Sequence, residues 1–185
     1  MIEPLKKFYT VTGYYALLDA GILHEDDRVE LIEGEIRPMP PIGSPHAGGV
    51  NRLASLFFGK LTGRAVVSVQ NPLRLSEISE PEPDLLLLRF REDFYASRHP
   101  QPGDVLLLIE VADSSLEFDR RTKSRLYARH GVPEVWVQNL EGAALEVYRD
   151  PSPQGYRDVR TLRRGDRISP LTFPDLVLEV SAILG

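Results

Sequence analysis

Between Asp104 and Ala112 the chain reads Asp-Val-Leu-Leu-Leu-Ile-Glu-Val-Ala, apolar at every interior position except Glu110. So continuous a run predicts a central strand over Val105–Ala112, covered on both faces. A second run, Glu82-Pro-Asp-Leu-Leu-Leu-Leu88, predicts a strand over Asp84–Arg89, and Ala65–Gln70 a shorter one. Helical spacing replaces this pattern at Val50, Leu53, Ala54, Phe57 and Leu61. It predicts a helix from Ser44, read as N-cap with Pro45 at the first position, to about Thr62, stopped by Gly63. Two further helices are predicted, Val11–Ala20 between Thr10 and Gly21, and Asp119–His130 closed by Gly131.

The remaining segments fall between these. Val29–Ile36 reads as a hairpin turning at Glu33–Gly34, which sets Glu30 opposite Arg37. Pro38–Pro45 and 90–103 read as irregular connections, and Glu134–Gln138 and Leu145–Arg149 as strands. The segment beyond Pro151 reads as a loose hairpin and a closing stretch. From Ser44 the order is helix, three strands, helix, two strands. That predicts a mixed α/β fold, a central sheet flanked by helices, preceded by a helix and a hairpin. At 185 residues the chain is most simply one domain over 1–185.

Composition narrows the class. With no cysteine, disulfides, zinc-thiolate sites and thiol catalysis are excluded. No stretch approaches the ~18–20 apolar residues that span a bilayer, and Met1–Lys7 carries no signal-peptide core, so a cytoplasmic protein is expected. The formal net charge of −5 argues against coating nucleic acid through bulk positive charge. Basic residues nevertheless cluster at 120–129 and 157–167. Arg120 and Arg121 are candidate phosphate ligands, although a solvated helix face accounts for them as well.

The chemistry follows from two carboxylates in apolar strands. A lone buried carboxylate costs several kcal/mol, so Asp84 and Glu110 each require a compensating partner. If their strands are antiparallel neighbours, the start of one meets the end of the other and the two acids converge. A cation between them would relieve their repulsion. Mg²⁺ and similar hard ions need only one or two carboxylates plus water. Alternation places Leu106, Leu108, Glu110 and Ala112 on one face. On the next helix Lys123, Leu126, Tyr127 and His130 share a face. Lys123 then projects inward, where it could position a water or offset phosphate charge; on composition alone an exposed lysine is the commoner reading.

In order along the chain, Glu82-Pro-Asp84, Ile109-Glu-Val-Ala-Asp-Ser-Ser115 and Asp119 through Lys123 to Tyr127-Ala-Arg-His-Gly131-Val-Pro-Glu-Val-Trp136 resemble the Uma family of putative restriction endonucleases, within the PD-(D/E)XK nuclease superfamily. Glu30–Ile36, Ser44-Pro-His46 and Glu146-Val-Tyr148 extend the resemblance to roughly residues 10–180. It implies a restriction-endonuclease-like core of helix, three strands, helix and strand. It also implies that Pro83-Asp84 is the PD element and that Glu110 is the acid of the second motif. Two residues beyond Glu110 stands Ala112, where the simple motif has lysine; by the resemblance, Lys123 on the following helix takes that place.

Lesser candidates are His46, Glu30 and Gln70, as accessory groups near the acids. A surface histidine, or a Glu30–Arg37 cross-strand pair, explains the first two equally well. Tyr127 reads as core, Pro174-Asp175 as a decoy and Ser114-Ser115 as a turn or cap. The expectation is a Mg²⁺- or Mn²⁺-dependent endonuclease acting on DNA, plausible as a homodimer because cutting two strands usually takes two sites. The alternatives are a catalytically inactive nuclease-fold domain that binds DNA or protein, and a structural protein whose acids pair with Arg120 or Arg121.

Overall fold

Thr10 opens the first helix, α1 (Val11–Asp19), its Oγ1 accepting the Gly13 N–H at 3.1 Å. This is the N-cap bond that a threonine supplies to an otherwise orphaned donor. The hairpin β1 (Val29–Ile32) and β2 (Glu35–Pro38) follows, with Glu30 opposite Arg37 as the two-residue turn requires. The computed structural model describes residues 8–24 and 26–185. The Met1–Lys7 reading lies outside them. Among the described residues no helix is long and apolar enough to cross a membrane.

The second helix, α2 (Ser44–Leu61), begins one residue earlier than its sequence implies. Gly43 is the N-cap and Ser44 is already helical, so serine supplies no side-chain cap. Val50, Leu53, Phe57 and Leu61 are buried. They pack against the sheet along one helical stripe, as their spacing dictates.

Six strands form the central sheet in the order β3 (Ala65–Val69), β4 (Leu85–Arg89), β5 (Val105–Ala112), β6 (Glu134–Asn139), β7 (Ala144–Ser152), β8 (Gly155–Leu162). Only β5 and β6 run parallel, joined across a helix. Every residue of β5 and β6 is buried, which explains why the central strand reads as an unbroken apolar run. One face packs against α2 and the C-terminal helix Val180–Leu184, the other against the helix after β5. The expected face-sharing of Leu106 with Leu108 fails. Leu87 pairs with Leu107 but Leu88 with Val105, so Leu106 is the extra residue of a β-bulge and packs with the α2 side instead. The expected loose hairpin is also corrected, because β8 pairs with β7 from Leu145–Leu162 down to Ser152–Gly155.

The helix after β5, here α3, begins at Leu116, three residues before the sequence placed it. It runs as Leu116–Phe118, then a π-helical turn Asp119–Lys123, then Ser124–Arg129. The Ser124 N–H donates to the Asp119 carbonyl five residues back, the widened pattern of a π turn. Asp119 and Lys123, at the two ends of that turn, are both buried.

Candidate active site

β4 and β5 are antiparallel, with Leu85 opposite Ile109. That register brings Asp84, just before β4, beside Glu110 near the end of β5. The Asp84 N–H points at Glu110 Oε2 from 3.4 Å. Both carboxylates line a cavity of about 490 Å³ that is bounded by the β1–β2 hairpin, the loop before α2, and α3. Asp84 is 8% exposed and Glu110 3%, so the acids form a recessed floor.

Asp84 is held from both sides. The Val111 N–H donates to Oδ2 at 2.8 Å, while His46 Nε2 lies 2.9 Å and Gln70 Nε2 3.3 Å from Oδ1. His46 comes from the first turn of α2, and its pKa is raised, chiefly by the hydrogen bond to Asp84. Gln70 sits at the end of β3 with a positive φ of 49°, a left-handed kink uncommon outside glycine and asparagine.

Glu110 accepts the Tyr127 hydroxyl at 2.6 Å and meets Lys123 Nζ at 3.3 Å, both on Oε1. Burial drives its pKa up to about 8, with Asp119 and Asp84 adding to the rise and Lys123 and Tyr127 opposing it. Lys123 also reaches Glu30 Oε2 at 3.1 Å. Burial works against its charged form, but Glu110, Glu30 and Asp119 outweigh that and hold its pKa above the ordinary value. The buried lysine is therefore a fixed cation. Glu30 faces this ion pair rather than Arg37, whose guanidinium goes to Glu35 at 2.7 Å.

The structure thus brings together Asp84, Glu110, Lys123, Glu30, His46 and Gln70. It leaves out Arg120 and Arg121. Arg120 Nε lies 2.9 Å from both Glu146 oxygens, Arg121 pairs with Glu117, and neither lines the cavity. Those pairings also separate them from the floor acids, so the salt-bridged alternative lacks its defining contacts. Asp175, the decoy, pairs with Arg64 at the surface. Tyr127 is core and site at once. Sequence reasoning missed Asp119, whose carboxylate accepts from Ser115 at 2.6 Å and lines the cavity. It also missed Arg28, just before the hairpin, Glu82, in the segment before β4, and Phe118 of α3, all of which line the same cavity. The one signal available was Asp119 lying four residues before Lys123.

The donor set suits a hard divalent cation. Six carboxylates (Glu30, Glu82, Asp84, Glu110, Asp113 and Asp119) line the cavity against three permanent cations, Arg28, Arg37 and Lys123. No thiolate is present to favour a softer metal. Among the described residues no three acidic or histidine side chains close into an all-protein metal cage. A site of one or two carboxylates completed by water is nonetheless the usual Mg²⁺ arrangement.

A solved structure, described as a putative nuclease belonging to DUF820 from Anabaena variabilis, superposes on this chain with a TM-score of 0.73. The identity is 16%, over 95% of this chain and 97% of that one, a likeness of fold. No curated protein matches the sequence. Residues 12–181 match the family Uma2, described as putative restriction endonuclease, and the chain belongs to that family.

Proposed function

We propose that the protein is a metal-dependent endonuclease that hydrolyses DNA phosphodiester bonds in this cavity. The observation that carries the reading is the Asp84–Glu110 pair, two buried carboxylates set side by side with a buried lysine against one of them. Asp84 and Glu110 would hold Mg²⁺ or Mn²⁺. Bound there, the ion would supply Lewis-acid polarisation of the phosphate and lower the pKa of a water.

The surrounding residues have separate tasks. Val111 N–H, His46 and Gln70 fix the orientation of Asp84, and Tyr127 fixes that of Glu110. Such partners set the direction of a ligand's lone pairs and tune its basicity. Lys123 spends two of its three ammonium donors on Glu30 and Glu110. We assign the third to the attacking water, and the charge itself to the phosphate oxygens as they gain negative charge. Glu30 then acts through Lys123, holding the ammonium in place.

Purified protein is expected to nick plasmid DNA with Mg²⁺ or Mn²⁺, to stop on addition of EDTA, and to resume when the ion is restored. Nicking that persists undiminished in EDTA would remove the metal from the reading.

A further inference from the structure

Above the acidic floor, the cavity has one apolar wall. Pro38, Pro40, Pro41 and Ile42, from the chain leaving β2, line it together with Phe118 of α3. Ile42 is 40% exposed, and the Arg37 guanidinium lies 5.4 Å from the centre of the Phe118 ring. Hydrolysis at the floor requires no such wall. A phosphodiester is charged and polar, so these five side chains would face some other part of the substrate.

We infer that the cavity takes an unpaired deoxynucleotide, its base against the Pro38–Ile42 and Phe118 wall and its phosphodiester over the floor, so that the substrate class is single-stranded DNA. The inference rests on the nuclease reading above. Three observations support it. A cavity of about 490 Å³ is in the range that encloses one small molecule, and a nucleotide is of that size. A double helix carries its phosphodiesters on a stiff convex rim, so a recessed floor is reached more readily by a flexible single strand. Unpaired bases have free π-faces, and aromatic and guanidinium groups hold them with little regard to sequence.

Charge points the same way. Gripping a duplex through its backbone takes many free cations. Here Arg120, Arg157, Arg160 and Arg167 are each paired with a carboxylate, Glu146, Asp150, Asp158 and Glu179 respectively. At the cavity itself stand two arginines apart from the floor acids, Arg28 and, paired with Glu35, Arg37. That is enough for the one or two phosphates flanking a single nucleotide.

The test compares one labelled 30-mer alone and annealed to its complement, in Mn²⁺, with wild-type protein and with Ile42→Asp and Phe118→Ala. The single strand should be cut about tenfold faster or more, and each substitution should raise KM for it by about tenfold. Ile42 is partly exposed, so its substitution tests the wall even if Phe118→Ala folds poorly. Duplex cut as fast as the single strand, or unchanged KM in Ile42→Asp, overturns the inference and leaves the nuclease reading standing. If neither DNA is cut, the nuclease reading fails. Fluorescence anisotropy in Ca²⁺ then decides the inference: single-strand binding weakened by Ile42→Asp supports it, and equal binding of both forms overturns it.

Discussion

Glu110→Gln is expected to abolish metal-dependent cleavage, by a factor on the order of 10³ or more, without unfolding the protein. The amide keeps the shape of the carboxylate and can still accept the Tyr127 hydroxyl, while removing the negative charge that a metal needs. Its effect on stability runs the other way from its effect on activity. Folding raises the pKa of Glu110 from 4.5 to about 8, mainly through burial. The folded state therefore binds that proton more tightly than the unfolded chain. The stability so gained is complete below the unfolded value and fades as pH rises through the folded one. In metal-free protein, Glu110→Gln should melt close to wild type at pH 5 and above it at pH 8. Roughly 2–4 °C is expected for each kcal/mol in a chain of this length. Thermal melts in EDTA at the two pH values, with a cleavage assay in Mn²⁺, check both halves. A variant that still cuts would move the chemistry away from Glu110. One that melts well below wild type at pH 8 would mean the charge is stabilising.

Glu134→Ala is expected to cost the most stability of any single change considered. Glu134 is fully buried at the start of β6, opposite Arg149 of β7. Its Oε1 accepts from Trp136 Nε1 at 2.8 Å and from Arg149 Nε and a terminal guanidinium nitrogen at 2.8 and 2.6 Å. Its Oε2 accepts the Leu171 N–H at 2.7 Å, tying the segment before the C-terminal helix to the sheet. Alanine would leave an indole N–H and a backbone N–H without their acceptor, and a largely buried guanidinium without its counter-charge and with only the Ser169 carbonyl to bond. Breaking one side of such a pair costs about 3–5 kcal/mol, which lowers Tm on the order of 10 °C. Glu134→Gln, which keeps an acceptor, should lose less. Chemical denaturation of the two variants measures the difference; a loss below about 1 kcal/mol for alanine would show that the neighbours repack or find water.

The sheet and the meeting of the two acids were legible because they rest on short-range rules. An unbroken apolar run marks a strand buried on both faces, and antiparallel pairing of Asp84–Arg89 with Val105–Ala112 forces start to meet end. Glu30 opposite Arg37 followed from the two-residue turn, but register fixes backbones rather than side-chain partners, and the carboxylate went to Lys123. Other features leave little trace in residue types. The bulge that sends Leu106 across the sheet and the early start of α3 depend on how neighbouring strands and helices fit. Pro38–Ile42 and Phe118 become one wall only through the path of the chain, although they are far apart in sequence. Arg120 and Arg121 looked like phosphate ligands because a cluster of arginines carries no sign of which carboxylates lie opposite.

The π turn in α3 has a bearing on how this protein tolerates change. One residue of an α-helix turns the chain by about 100°, so a residue gained or lost in Asp119–Lys123 that the turn does not absorb by changing type would swing Lys123 away from Glu30 and Glu110. The address of the lysine is thus written in chain length rather than in the identity of its neighbours. Arg121 is exposed and Thr122 partly so, and both are free to drift as long as the spacing stays. In this chain an insertion or deletion in five residues would do more harm than most substitutions there, and counting residues from Asp119 to Lys123 says more about a relative's competence than comparing them letter by letter.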